Sequence, residues 1–231
     1  MNRFSISALV LATALAFSCS VDDREGDLSA SYSGKCVDRL SGKVVPTEYF
    51  GATLLFGDVS GDPGQPKSFY VKPDGSYNNT RMYPASYKVW ANGPFCEVDT
   101  LYFDLNGHKD FDLNVVPNIT LTLASSSVSG GMLTMTASYK VNKPGVSEGD
   151  LAIVYGTVSN PGQAQASRSL SNKTVSCWKK TDKFVGTDGF VTMSIKLGDN
   201  PRYYARIGAK LAGTDYWNYT EQITIDEQKI I

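Results

Sequence analysis

Residues able to do acid–base or nucleophilic chemistry are few in this sequence. The single histidine, His108, stands in Asn106-Gly107-His108-Lys109-Asp110, a run with the composition of a tight turn. A histidine in such a turn is ordinarily solvated, and no nucleophile and base can be assembled around it from the sequence. Two carboxylate pairs have the residue types that glycosidases use: Glu97 with Asp99, and Glu148 with Asp150. Because acidic pairs near turns are common on surfaces, the sequence favours a protein that is not an enzyme.

Aromatic side chains offer a better basis for binding than for catalysis. Sugar binding needs flat apolar ring faces beside groups that hydrogen-bond hydroxyls. The run Tyr216-Trp217-Asn218-Tyr219 lies in a predicted strand, where neighbouring side chains point to opposite faces, so at least one aromatic should avoid the core. Packing in the core is the alternative for each of these rings, and Trp90 is expected there. The predicted carbohydrate-binding residues are Trp178, Tyr216, Trp217 and Tyr219.

The cysteines exclude a disulfide scaffold. Beyond Cys19 there are three, Cys36, Cys96 and Cys177, an odd number that cannot all pair within one chain. Cys36 and Cys96 fall in the same predicted domain and are either a disulfide or two small buried apolar residues. No cysteine and histidine spacing suits structural zinc, so we expect no metal and no cofactor.

Composition and charge narrow the class of partner. The 231-residue chain has a formal net charge of −1, and its basic residues are scattered among acidic ones. Nucleic-acid binding, which depends on clustered Lys and Arg, is therefore not expected. Many Val, Thr, Tyr and Phe residues interrupted by Gly, Asn and Pro favour strands. We expect an all-β protein with two consecutive β-sandwich domains.

The first half of the chain contains short extended runs joined by turns. The predicted strands are Tyr32–Val37, Gly51–Phe56, Ser68–Lys72, Ser76–Thr80, Tyr87–Ala91, Thr100–Leu105 and Lys109–Val116. Pro73-Asp74-Gly75 and Asn106-Gly107 have the chemistry of hairpin turns, since glycine accepts a positive φ. These features predict a β-sandwich over residues 32–117.

This half resembles carboxypeptidase-regulatory-like, or transthyretin-like, domains. The resemblance is carried by Gly34-Lys35-Cys36-Val37-Asp38, by Pro73-Asp74-Gly75-Ser76-Tyr77 and by Tyr83-Pro84-Ala85-Ser86-Tyr87-Lys88-Val89. Ala85 or Ser86 stands where that family usually has glycine. The whole stretch is similar to the N-terminal domain of lipoproteins encoded beside SusC and SusD partners in glycan-utilisation loci, a family of undefined activity.

The strand pattern begins again at Asn118. The predicted strands are Asn118–Ala124, Met132–Val141, Leu151–Val158, Ser167–Cys177, Phe190–Leu197, Arg202–Lys210 and Trp217–Ile225. Leu133, Met135 and Ala137 alternate with polar residues, as in a half-buried strand. Arg202-Tyr203-Tyr204-Ala205-Arg206 resembles the penultimate strand of fibronectin type III-like domains. Residues 118–231 are therefore expected to form an immunoglobulin-like sandwich.

The N-terminus predicts export. A basic start and an apolar run from Phe4 to Phe17 precede Ser18 and Cys19, and the run is too short to span a membrane. Residues 1–18 are expected to be a lipoprotein signal peptide and Cys19 the lipidated residue, with an ordinary secretory signal cut near Ser18 as the alternative. Residues 19–31 form an acidic tether that resembles surface-export signals of Gram-negative lipoproteins, although a plain linker would have the same composition.

These features together favour a non-catalytic outer-surface lipoprotein. The resemblance implies an accessory to a SusC/SusD-like uptake system at the outer membrane that binds a glycan or docks on the complex. The alternative is a structural or adhesion module of fimbrial type. A hydrolase is the weakest of the three expectations.

Overall fold

The computed structural model describes residues 28–59, 64–166 and 177–226. Strands contain 63% of the residues and helix contains 2%, so the all-β prediction is confirmed. Two β-sandwiches follow one another along the chain, each with its own buried core. Within the described residues, no helix is long and apolar enough to cross a membrane. Residues 1–27, which include the predicted signal peptide and Cys19, lie outside the described part.

The first sandwich packs two sheets face to face. Its strands are β1 (Ala30–Asp38), β2 (Thr53–Asp58), β3 (Lys67–Tyr70), β4 (Ser76–Met82), β5 (Ala85–Asn92), β6 (Phe95–Val98), β7 (Leu101–Leu105), β8 (His108–Asp110) and β9 (Leu113–Pro117). One sheet has the order β4-β1-β9-β6, with β8 pairing parallel to β1. The other has the order β3-β2-β5-β7 and is antiparallel throughout.

Aromatic rings fill the space between these two sheets. Tyr32 of β1 packs on Phe56 of β2 with ring centroids 4.7 Å apart, and Phe56 also meets Tyr87 edge-on at 5.4 Å. Each of these side chains is almost completely buried. Such pairs add to the burial of apolar area, which stabilises the sandwich.

Both predicted hairpin turns are turns, but neither closes a hairpin. Gly75 and Gly107 have φ values of 82° and 77°, as expected of turn glycines. However, the strands before and after each turn belong to different sheets. The strands that precede the turns, β3 and β7, lie in the β3-β2-β5-β7 sheet, whereas the strands that follow them, β4 and β8, both pair with β1 of the other sheet. The two turns therefore carry the chain across the sandwich.

The second sandwich has the same layered design. Its strands are β10 (Ile119–Ser129), β11 (Met132–Val141), β12 (Glu148–Gly156), β13 (Cys177–Val185), β14 (Asp188–Lys196), β15 (Arg202–Leu211), β16 (Asn218–Tyr219) and β17 (Ile223–Asp226). The sheets are β10-β11-β14 and β13-β12-β15-β16, with β17 also pairing β15. Leu133, Met135 and Ala137 are fully buried, which confirms their predicted alternation.

Some predicted strands differ from the observed ones. The stretches predicted over Lys109–Val116 and Trp217–Ile225 are each two strands, and β6 and β13 were not predicted. Most of the strand predicted over Ser167–Cys177 lies outside the described residues. A short helical turn at residues 163–166 follows β12.

The three cysteines of the described residues are free. Cys36 and Cys177 are buried, and burial raises their thiol pKa values to about 12 and about 11. Both therefore remain protonated at neutral pH and pack as small apolar side chains.

Candidate carbohydrate-binding surface

The outer face of the β3-β2-β5-β7 sheet presents three aromatic side chains. They are Tyr70 of β3, Trp90 of β5 and Tyr102 of β7, and we call them the aromatic face. Tyr70 is 60% exposed and Tyr102 is 67% exposed, while Trp90 is half-buried. The expectation that Trp90 lies in the core is therefore wrong. Tyr87, Val89 and Ala91 point inward along β5, and the period of two turns Trp90 outward.

The strand registers place these rings along a diagonal of the sheet. Tyr70 of β3 is opposite Thr53 of β2, and Trp90 of β5 is opposite Leu55, two residues further along β2. Tyr102 of β7 is opposite Lys88, two residues before Trp90 on β5. Neighbouring strands are roughly 4.8 Å apart and same-face residues roughly 6.8 Å apart along a strand, so the diagonal from Tyr102 to Tyr70 spans about 20 Å. That length suits an extended ligand.

The central indole lies against a glycine of the neighbouring strand. A Cβ added to Gly57 would lie 3.4 Å from Trp90 Cζ3, an ordinary van der Waals distance, so the indole packs over the backbone of β2 at this point. The Lys88 ammonium is 5.2 Å from the centre of the indole ring system. Because β2 and Lys88 hold the indole in this way, a ligand that contacts Trp90 has little ordering of the side chain to induce.

Polar side chains alternate with the aromatic ones on the same face. Thr53, Ser68 and Asn92 occupy the positions beside Tyr70 and Trp90, and Ser86 donates to the Asp104 carboxylate next to Tyr102. Ring faces for pyranose C–H groups and nearby hydroxyl, amide and carboxylate partners are the combination that sugar recognition requires.

A second group of aromatics borders the aromatic face. Residues Glu48–Gly51 form a tight turn, closed by the Gly51 amide donating to the Glu48 carbonyl at 2.9 Å, and we call them the aromatic turn. Phe50 meets Tyr70 edge-on with ring centroids 4.6 Å apart. Tyr49 and Phe50 are 47% and 50% exposed. Phe50 has a φ of 64°, a left-handed conformation that is an outlier for a bulky residue and costs about 1–3 kcal/mol.

Glu48 fixes this turn to the second sandwich. Its carboxylate oxygen Oε2 accepts hydrogen bonds from the Ala164 amide at 2.8 Å and the Tyr219 hydroxyl at 3.1 Å. The Tyr219 hydroxyl in turn accepts from the Gln163 amide at 2.9 Å. A Cβ on Gly162 would lie 2.8 Å from the Glu48 side chain, so only glycine fits here.

Arg206 completes this buried junction. Its guanidinium lies 4.0 Å from the centre of the Tyr219 ring and donates to the Pro161 and Asn160 carbonyls. Burial raises the pKa of Glu48, opposed by its hydrogen bonds and by the charge of Arg206, and lowers the pKa of Arg206 to about 10. Within the described residues, Arg206 Nη1 is buried without a hydrogen-bond partner. A buried network of this kind fixes geometry as much as it stabilises.

The structure separates the four predicted carbohydrate-binding residues. Trp217 and Tyr219 are only 7% and 3% exposed, because both pack on Ala152 and Val154, and Tyr219 also contacts Glu48 of the first sandwich. Trp178 is half-buried and stacks on Tyr155, with ring centroids 5.1 Å apart. Tyr216, at 40% exposure, is the aromatic of its run that faces solvent.

The groups considered for catalysis lie in open positions. Ser31 Oγ is 2.9 Å from His108 Nδ1, and Asp110 Oδ1 is 3.1 Å from Nε2. The structure therefore does assemble a serine and a carboxylate around His108, contrary to the sequence analysis. Ser33 also donates to Asp110, and the side chains of His108 and Asp110 are 54% and 76% exposed. This solvated group lacks the desolvated setting in which such sets catalyse.

Three of the four carboxylates considered for catalysis lie beside cations. Glu97 and Asp99 both contact Arg39, and Asp150 lies 3.4 Å from Lys210. Within the described residues, no three His, Cys, Asp or Glu side chains group as metal ligands.

Sequence reasoning missed the aromatic face, although one signal for it was present. Trp90 is out of phase with Tyr87, Val89 and Ala91, and this parity indicates an outward side chain. Tyr70 and Tyr102 come from other strands, and only the sheet order brings them to the same face.

The fold and this surface define a two-sandwich, all-β protein with exposed aromatic residues on its first domain. Residues 31–116, which span the first sandwich, match the model of a protein of unknown function (DUF3823) N-terminal domain. No curated protein matches the chain significantly.

Solved bacterial structures share the fold over most of the chain. A DUF3823 family protein from Bacteroides uniformis is 19% identical with a TM-score of 0.69, covering 85% of this chain and 98% of its own. A DUF3823 family protein from Bacteroides ovatus is 19% identical with a TM-score of 0.70, covering 86% and 99%. A "putative carbohydrate binding protein" from Bacteroides uniformis is 20% identical with a TM-score of 0.70, covering 87% and 100%.

Proposed function

We propose that this protein is a non-catalytic glycan-binding protein and that the aromatic face is its binding surface. The observation that carries the proposal is the outward display of Tyr70, Trp90 and Tyr102 on one sheet, with polar side chains between them. Exposed aromatic area of this kind on a soluble domain marks a place where a partner covers it. The similar fold described as a carbohydrate binding protein supports the same class of ligand.

The cellular setting of this function is part of the proposal. The tether predicted over residues 19–31 ends earlier than expected, because Ala30 and Ser31 belong to β1. In this proposal residues 1–18 act as a lipoprotein signal peptide, Cys19 carries the lipid, and the acidic segment before β1 tethers the two sandwiches to the outer membrane at the cell surface. The protein then serves as an accessory to a SusC/SusD-like polysaccharide uptake system. The N-terminal sequence and the resemblance of the first sandwich support this setting.

Affinity gels containing neutral polysaccharides test the binding function. Trp90→Ala and Tyr102→Ala should each weaken retention by about 1–3 kcal/mol, the scale of losing one aromatic contact. Phe190→Ala is the matched control, because Phe190 is 74% exposed but lies on β14 of the second sandwich. Tyr216→Ala tests the exposed member of the other aromatic run.

Two results would contradict the proposal. Equal retention of the wild type and the Trp90 and Tyr102 variants would show that the aromatic face does not bind the glycan. Failure of the wild type to bind any polysaccharide, together with coprecipitation of SusC/SusD-like proteins, would leave docking on the complex as its function.

A further inference from the structure

We infer that the binding track continues from the aromatic face over the aromatic turn and onto Gln165 of the second sandwich, so that its ligand is an internal stretch of a long, uncharged, linear glycan. This inference rests on the proposed function, because it extends the same surface. It adds a ligand class and a contribution from the second domain.

The two aromatic groups form one continuous surface. Phe50 and Tyr70 touch edge-on, and both rings are half-exposed or more. Beyond them, Tyr49 and Phe50 line a hollow of about 260 Å³ together with Ala164 and Gln165. The surface thus crosses from the first sandwich to the short helical turn of the second, where Gln165 lines the hollow. Within the described residues, Gln165 Oε1 is buried without a hydrogen-bond partner, so the side chain must turn outward for its amide to bind a sugar hydroxyl.

The conformation of Phe50 indicates that its ring has a use beyond packing. A φ of 64° suits glycine, and a bulky side chain there is strained. Half of the Phe50 surface is exposed, so the ring recovers only part of the burial that would offset the strain. A strained residue of this kind persists where the surrounding structure holds it, and it points to a functional role.

The buried junction holds both parts of the extended track in place. The same Glu48 oxygen that anchors the aromatic turn accepts from the Ala164 amide, the residue before Gln165. Tyr219 and Arg206 brace this contact from β16 and β15. The track is therefore preorganised across the two domains, and a ligand that spans it need not order them.

Shape and charge identify the class of ligand. Short side chains and a glycine separate the rings, as at Thr53, Ser68 and Gly57. The two longer outward side chains, Leu55 and Lys88, lie beside the line that joins the three rings, opposite Trp90 and Tyr102. The outward charges of the face are Lys88 and Asp104, which cancel. A long run of open rings without a net charge suits a continuous neutral chain and not an acidic one.

Phe50→Gly provides the decisive test. Affinity gels with xylan, mixed-linkage β-glucan, galactomannan, starch and heparin would first identify the retained polymer, and calorimetry would then follow its fragments of increasing length. We expect affinity to rise with fragment length, and Phe50→Gly to lower affinity for the longest fragments about tenfold while leaving short fragments unchanged. Gln165→Ala should act in the same direction, and Phe190→Ala should have no effect. The melting temperature of Phe50→Gly should be equal to or above that of the wild type, because glycine accepts the φ.

Other outcomes would overturn the inference. Affinity independent of fragment length, preference for heparin, or full binding by Phe50→Gly would confine the ligand to the aromatic face and leave the proposed function intact. A lower melting temperature for Phe50→Gly with unchanged binding would make the ring structural. If the wild type retained none of these polymers, the proposed function would fail and this inference with it.

Discussion

Glu48→Ala should weaken the junction between the two sandwiches strongly. The substitution removes the acceptor of two buried donors, the Ala164 amide and the Tyr219 hydroxyl. A buried donor left without a partner costs about 1–3 kcal/mol, so the two together predict a loss of about 2–6 kcal/mol in the free energy of unfolding. The Arg206 cation would also lose its nearby counter-charge, which acts in the same direction.

Urea unfolding followed by fluorescence and circular dichroism measures this loss. Glu97→Ala is the matched control, since Glu97 pairs with Arg39 on the open surface and should contribute at most about 1 kcal/mol. Glu48→Gln should fall between the wild type and Glu48→Ala, because the amide oxygen still accepts a hydrogen bond. A loss below about 1 kcal/mol for Glu48→Ala would show that the junction does not depend on this carboxylate.

The same residue predicts the direction of a pH effect. Burial raises the pKa of Glu48 in the folded protein, whereas the unfolded chain keeps the ordinary carboxyl value of about 4.3. The folded state therefore binds the proton more tightly, and the stability of the wild type relative to Glu48→Gln should be greatest below that value and fall as the pH rises through the raised pKa. A difference that grows with pH would refute the assigned cause.

Two further substitutions test the second sandwich and the anchor. Trp217→Ala should cost about 3–5 kcal/mol, since its ring is buried, whereas Tyr216→Ala should change stability by about 0.5 kcal/mol or less; equal effects in thermal unfolding would contradict the observed burial. Cys19→Ala should release the protein from the membrane fraction or leave it unprocessed, because lipidation requires the cysteine sulfur, and fractionation identical to that of the wild type would exclude the lipoprotein assignment.

The local pattern of the chain was sufficient to predict the fold class and many strands. The alternation of Leu133, Met135 and Ala137 in β11 and the turn glycines Gly75 and Gly107 express backbone preferences that act over a few residues. Such preferences locate strands and turns but do not select the strand that pairs with each one. For that reason the local pattern predicts hairpins at Gly75 and Gly107, although both turns cross between sheets.

The candidate sites depend on contacts between distant parts of the chain. Glu48 lies 116 residues from Ala164 and 171 from Tyr219, and no local pattern marks a carboxylate that will be buried between two domains. Trp217 and Tyr219 stand in an alternating run that suggested an exposed ring. Trp217 packs on Ala152 and Val154 of its own sandwich, and the first sandwich contacts Tyr219 through Glu48, with Asn218 donating to the Pro94 carbonyl at 3.0 Å. The periodicity of the sequence indicates to which face of its strand a side chain points. Only the packing of the sheets and of the two sandwiches decides whether that face contacts water or protein.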